Sequence, residues 1–239
     1  MTESQAVASP SPLQRGPMSP TPIYWVIRWI LNLLILVLVR GHVHIEGREN
    51  VPKDGGLLVI SNHIASADPP ILGAKFPRPL HFMAKIEWFK SPVAGFLGRQ
   101  FLCFPVVRHT ADRSALRYTL HLLERGQAVC IYPEGTRAED ARIHPVEAGV
   151  GFLARRSGAP ILPVAMWGTE NVLPAKGTHW PRAADCYMVF GKPFHLPRAD
   201  ITNQEAADYM MSRVAEMLPS AYRGAFESSG TRTESPVNA

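Results

Sequence analysis

The run Ser61-Asn62-His63 and the aspartate five positions past the histidine, Asp68, bring an imidazole and a carboxylate close together in the chain. A neutral imidazole can take a proton from an alcohol, and a carboxylate within reach fixes its tautomer and stabilises the imidazolium that forms. Before them stands Leu57-Leu58-Val59-Ile60, an apolar run that reads as a buried strand. After them stand Pro69-Pro70, prolines suited to the first turn of a helix. A strand-to-helix loop is where an open α/β sheet presents its reactive groups. The same residues allow a plainer role, with Asp68 as the N-cap of that helix and His63 as a polar loop residue.

A second constellation is Pro133-Glu134-Gly135-Thr136-Arg137, at the carboxyl end of the apolar run Ala128–Tyr132. A tight turn there exposes backbone N–H groups, a hydroxyl and a guanidinium together, which is an anion cradle. Alternatively Glu134 and Arg137 form a salt bridge that only pins the turn. Arg108, closing Phe104-Pro105-Val106-Val107, is a further candidate phosphate ligand.

The elements that must hold these groups follow from the hydrophobic pattern. Between Gly41 and Pro193 strand-like runs (43–45, 57–60, 80–85, 101–107, 128–132, 161–166 and 187–190) alternate with helix-like ones (69 onward, 87–98, 112–125 and 146–156). A last helix is expected over 203–218. Such alternation predicts an α/β fold, a mixed, largely parallel sheet flanked by helices. Residues 41–226 are expected to form this one domain, between polar, disordered tails over 1–21 and 227–239. The first tail lacks the pattern of a secretory signal.

Between tail and domain, residues 22–40 hold Ile23-Tyr24-Trp25-Val26-Ile27-Arg28-Trp29-Ile30-Leu31-Asn32-Leu33-Leu34-Ile35-Leu36-Val37-Leu38-Val39. As a helix this run is roughly 26 Å long, short of the roughly 30 Å hydrocarbon core of a bilayer. Tyr24, Arg28 and Asn32 recur every four residues and make one polar stripe on an apolar helix. Arg28 inside lipid would cost a few kcal/mol. A helix lying on or in one leaflet is therefore expected, with a spanning helix and a buried core helix as alternatives.

The 25 lysines and arginines exceed the 20 aspartates and glutamates, for a net charge of +5, so anionic partners are expected. Nucleic acid is not among them, because no basic stripe is interleaved with aromatics. Cys103, Cys130 and Cys186 are odd in number and far apart, and neither H-E-x-x-H nor a close histidine pair occurs. No metal site and no disulfide framework is expected.

Four blocks stand in order: Asn62-His63-x4-Asp68, Phe104-Pro105-Val106-Val107-Arg108, Tyr132-Pro133-Glu134-Gly135-Thr136-Arg137 and Ala159-Pro160-Ile161-Leu162-Pro163-Val164. Over roughly Gly41 to Pro193 this series resembles the glycerolipid acyltransferases, in particular the bacterial 1-acyl-glycerol-3-phosphate acyltransferases. The resemblance implies that His63 is the general base and Asp68 its orienting partner. It further implies that Arg108 grips the acceptor phosphate, that Glu134, Gly135, Thr136 and Arg137 form the acceptor site, and that Pro163 shapes the acyl-donor side. The implied reaction moves a fatty acyl group from acyl-coenzyme A or acyl carrier protein to the free hydroxyl of the lysophospholipid 1-acyl-glycerol-3-phosphate, giving phosphatidic acid in phospholipid biosynthesis. No cofactor beyond the donor is implied. The implied place is the cytoplasmic face of the cell membrane, as a peripheral or monotopic protein among membrane lipids. Two positions depart from the pattern: Glu147 stands where many relatives carry a lysine, and Val107 where an acidic residue often precedes the arginine. The first leaves open an acceptor that is a glycolipid or an amino-acid-derived lysolipid. A non-catalytic lipid-binding relative is the other alternative, and the intact His63, Asp68, Glu134 and Arg137 argue against it.

Overall fold

Short apolar runs pair into strands because each backbone N–H and C=O removed from water needs a partner. The computed structural model describes residues 19–39, 42–107, 112–173, 181–197 and 200–229. Its strands are β1 (Val43–Glu46), β2 (Leu57–Ser61), β3 (Leu80–Lys85), β4 (Cys103–Val106), β5 (Ala128–Ile131), β6 (Ile161–Trp167) and β7 (Cys186–Phe190). They form one sheet in the order β1-β7-β6-β2-β5-β3-β4. Every neighbouring pair is parallel except β6 with β7. The expected largely parallel α/β sheet is therefore present. Register sets Ile60 beside Ile131 and Ser61 beside Val164, so β2 and β5 end at one edge, past which β6 continues to Trp167.

Side chains alternate between the two faces of the sheet. Leu57, Val59, Cys130, Leu162 and Val164 pack with α1 (Pro22–Leu38) and α2 (Asp68–Lys75), beside which lies α3 (Pro92–Gln100). Leu58, Ile60, Val129, Ile161 and Ala165 pack with α4 (Arg113–Glu124), α5 (Ala148–Ser157) and α7 (Asn203–Ala215). A short helix, α6 (Thr169–Val172), follows β6. At Gly151 α5 and α7 approach so closely that a Cβ would stand 1.8 Å from the Asn203 carbonyl oxygen, so glycine alone fits.

Some expectations are corrected. The helix expected over 87–98 is broken: Ile86–Lys90 forms a 3₁₀ turn, and α3 begins only at Pro92, with the Ser91 hydroxyl accepting from Ala94 N–H. Proline cannot donate into a continuing helix and disfavours helical backbone at the residue before it. Pro105 lies in β4, one of the two edge strands, as a strand proline should. Of the tail expected from 227 on, residues 227–229 belong to a 3₁₀ turn, Gly224–Ser229, held by Ala225 N–H on the Ile143 carbonyl. The remainder of that tail, residues 1–18 and Arg108 lie outside the described residues.

The polar stripe of α1 turns toward the protein. Arg28 donates to the Phe76 carbonyl at 2.5 Å, and Asn32 to the Ala74 carbonyl at 3.2 Å. Both acceptors belong to the end of α2, where helical carbonyls lack intrahelical partners. Tyr24 is buried and stacked on Phe101. No helix among the described residues is long and apolar enough to cross a membrane.

Candidate active site

Where the β2–β6 ladder stops, a side chain takes over. Asn62 donates from Nδ2 to the Met166 carbonyl at 2.7 Å and accepts the Met166 N–H on Oδ1 at 2.9 Å. This pins the loop after β2 beside β6, and the next residue is His63. His63 Nδ1 lies 2.9 Å from Asp68 Oδ2. The same oxygen accepts the Ile64 N–H at 2.9 Å and the Ala65 N–H at 2.8 Å, and the other oxygen accepts the Thr169 hydroxyl. Asp68 is wholly buried, so all four donors act on it without competition from water.

Asp68 is thus not the cap of α2; Ala67 occupies that position, and the carboxylate turns back onto its own loop. A carboxylate only accepts, so the proton of neutral His63 sits on Nδ1 and the lone pair on Nε2. Among the described residues Nε2 has no hydrogen-bond partner, and it is not sealed from solvent. It is the free basic atom of the site.

The second constellation braces the first. Glu134 Oε1 accepts the His63 N–H at 2.7 Å, and the Ala138 N–H donates to the His63 carbonyl at 2.8 Å. Glu134 Oε2 accepts the His144 N–H at 3.0 Å. Burial pushes the Glu134 carboxyl up to about 7, against the two N–H groups that pull it down. Tyr132 stacks on the His63 ring with centroids 4.1 Å apart. Glu134, with both oxygens used internally, therefore positions His63 and is not open to a substrate. Gly135 makes the turn at φ +68°, a conformation that suits glycine.

Thr136 and Arg137 are exposed, and the Arg137 guanidinium donates to the Ser66 hydroxyl, three residues past His63. Arg137 thus reaches the loop that carries His63 and Asp68. Glu147 is also exposed, with Oε1 3.0 Å from where a Cβ on Gly135 would stand. Pro163 is buried within β6 opposite Ile60, against Gly191. Sequence reasoning missed Thr169, Tyr132 and Ser66 as members of the site. The one available signal for Thr169 was a hydroxyl following Gly168 at the end of an apolar strand.

Taken together, these groups can remove a proton from a hydroxyl at Nε2 and stabilise the cation that results, with an exposed guanidinium on the Ser66 hydroxyl of the same loop. Among the described residues no group of three or more histidine, cysteine or acidic side chains is arranged to hold a metal ion.

Comparison with known proteins identifies the family. The family model described as "Acyltransferase" matches residues 42–167. A 1-acyl-sn-glycerol-3-phosphate acyltransferase of Bacillus subtilis is 30% identical over 165 residues, covering 68% of this chain and 79% of that protein. A lyso-ornithine lipid O-acyltransferase of Pseudomonas aeruginosa is 30% identical over 144 residues, 60% of this chain and 52% of that protein. The crystal structure of the 1-acyl-sn-glycerophosphate acyltransferase of Thermotoga maritima aligns with a TM-score of 0.67 and 26% identity, over 80% of this chain and 77% of that one. The family match runs from just before β1 to the end of β6, more than half the chain, and takes in His63, Asp68, Glu134 and Arg137: the chain belongs to the acyltransferase family.

Proposed function

We propose that this acyltransferase esterifies the free hydroxyl of 1-acylglycerol 3-phosphate with a fatty acyl group carried as a thioester, giving phosphatidic acid. The observation that carries the reading is the buried Asp68, four-fold hydrogen-bonded, holding His63 on a loop whose Ser66 hydroxyl accepts from Arg137. Nε2 takes the hydroxyl proton as the oxygen attacks the thioester carbonyl. The new C–O bond forms, the C–S bond breaks, and the leaving sulfur takes the proton back from the imidazolium. Asp68 stabilises that imidazolium while it exists. The Cys130 thiol is buried and its pKa is raised by that burial, so it is unsuited to act as a thiolate nucleophile. Direct transfer between the two substrates is the simpler route.

Arg137 is assigned to the acceptor phosphate, a contact made in ground state and transition state alike. Arg137→Ala is expected to raise the acceptor KM by about tenfold while kcat changes little, since a lost charge-assisted hydrogen bond is worth about 1.5–3 kcal/mol. Steady-state assay with lysophosphatidate checks this, and an unchanged KM would remove the assignment. One observation favours a second acceptor: the Glu147 carboxylate overhangs the same turn, where an amine-bearing lysolipid would find a counter-charge. Comparing turnover of lysophosphatidate with that of a phosphate-free, amine-bearing lysolipid decides between them.

The membrane reading rests on an exposed apolar surface. Trp29 is 65% exposed, Leu36 61% and Val37 62%, all on α1, while Trp88, Val93 and Phe96 are exposed beside or on α3. Both helices cover one face of the sheet, and the polar stripe of α1 is tied to α2 instead of facing outward. A helix so arranged lies in one leaflet, at the cytoplasmic face where thioester donors are made. The double variant Trp29→Asp, Leu36→Asp is expected to cut recovery with anionic vesicles at least tenfold without altering the fold, because a charge within lipid costs about 2.5–3.5 kcal/mol. Undiminished sedimentation with vesicles would place the anchor elsewhere.

A further inference from the structure

Opposite the apolar layer of α1 and α3, between α4 and α5, lies a groove of about 230 Å³ lined by Arg113, Leu116, Arg117, Leu120 and Phe152. We propose that it holds the phosphorylated nucleotide end of acyl-coenzyme A, an inference that rests on the reading of this chain as a thioester-dependent acyltransferase.

Position is the first argument. α5 leaves the same turn that braces His63, since the Glu147 N–H donates to the Pro133 carbonyl and Glu134 binds His63. From Glu147 to Phe152 is five residues, about 7.5 Å of helical rise. α4 likewise starts at the edge of the sheet where β4 ends. An extended pantetheine arm spans such a distance.

Polarity is the second argument. An acyl thioester of coenzyme A is an apolar chain at one end and a polyanion at the other. The apolar surface of this protein is on the α1–α3 side of the sheet, and the groove is on the other. A donor laid over the strand ends therefore keeps its tail with lipid, its thioester at His63 and its phosphates in water.

Chemistry is the third. Arg113 and Arg117 stand one helical turn apart, both exposed, and among the described residues neither has an ion-pair partner. Arg113 is the first residue of α4, where a cation opposes the helix dipole, and Arg117 follows one turn later on the same face. Guanidinium forks match phosphate oxygens bidentately. Leu116, Leu120 and the partly exposed ring of Phe152 give the adenine an apolar wall and an aromatic face. A carrier protein would need a broad surface, whereas this concavity is narrow and suits a ring.

The test uses the full-length protein. Titration with the isolated nucleotide end of coenzyme A, 3′-phospho-ADP, should show binding to the wild type that Arg117→Glu weakens at least tenfold. With acyl-coenzyme A as donor, Arg117→Glu should raise KM about tenfold at unchanged kcat, and it should leave turnover of the same acyl group on pantetheine alone unaffected. Arg113→Glu should behave alike, so that a folding defect in one variant does not decide the matter. Equal binding of the nucleotide by wild type and variants, or no binding to the wild type, overturns the assignment. So does an equal defect with acyl-pantetheine, or a defect seen only with acyl carrier protein as donor. A wild type inactive with every thioester would instead sink the proposed function, and the titration would still decide what the groove binds.

Discussion

Replacing His63 with alanine is expected to lower kcat for acyl transfer by about 10²–10⁴, the range a positioned general base contributes. The argument is one of atoms. Nε2 is the free basic atom of the site, and neither Glu134 nor Asp68 can replace it, since their oxygens are occupied by N–H and O–H donors. The fold should survive. Truncation removes one hydrogen bond and the stacked contact with Tyr132, while the backbone of residue 63 stays clamped between Glu134 and Ala138. A loss of about 1–3 kcal/mol in unfolding free energy follows from that count. Single-turnover assay beside denaturant unfolding separates the two effects. A folded variant that retains a tenth of the wild-type rate would show that the hydroxyl is activated by something other than this imidazole.

The sheet and the first half of the site could be read from the chain because both are local. Apolar runs of four to seven residues are strands wherever they can pair, and alternating them with helical runs leaves few topologies besides a parallel sheet. His63 and Asp68 lie five residues apart on one loop, so their meeting needs no long-range information. Thr169, by contrast, reaches Asp68 across 101 positions, and no periodicity announces such a partner. Glu134 shows the complementary limit. Its neighbours Thr136 and Arg137 are exposed as the motif implies, yet Glu134 itself is spent on the backbone of His63 and His144. The stripe of Tyr24, Arg28 and Asn32 was visible as a pattern, but a period of four residues says only that they share a face. That the face meets the carbonyl end of α2 is decided by tertiary contacts. Pro163 enters through the resemblance of its block alone, and the register of β6 sets it buried opposite Ile60.

Two substitutions at Asp68 are expected to separate its structural role from its electrostatic one. Asp68→Ala strands the Ile64 and Ala65 N–H groups and the Thr169 hydroxyl in a fully buried site. At about 1–3 kcal/mol for each buried donor left unmet, with some relief from water entering the space, the expected loss is about 3–5 kcal/mol. That is a large part of the stability of a domain this size. Asp68→Asn behaves differently. The two backbone N–H groups compel the amide oxygen to occupy the position of Oδ2, which leaves the amide nitrogen facing Thr169. A hydroxyl can reverse and accept, so every hydrogen bond survives and His63 keeps its proton on Nδ1. What disappears is the negative charge beside the imidazolium. A unit charge about 4 Å away at an effective dielectric constant near 20 is worth about 4 kcal/mol, so kcat should fall by about 10²–10³ with stability nearly unchanged. Wild-type turnover in the asparagine variant would reduce Asp68 to a clamp for the loop, and an alanine variant as stable as the wild type would deny it even that.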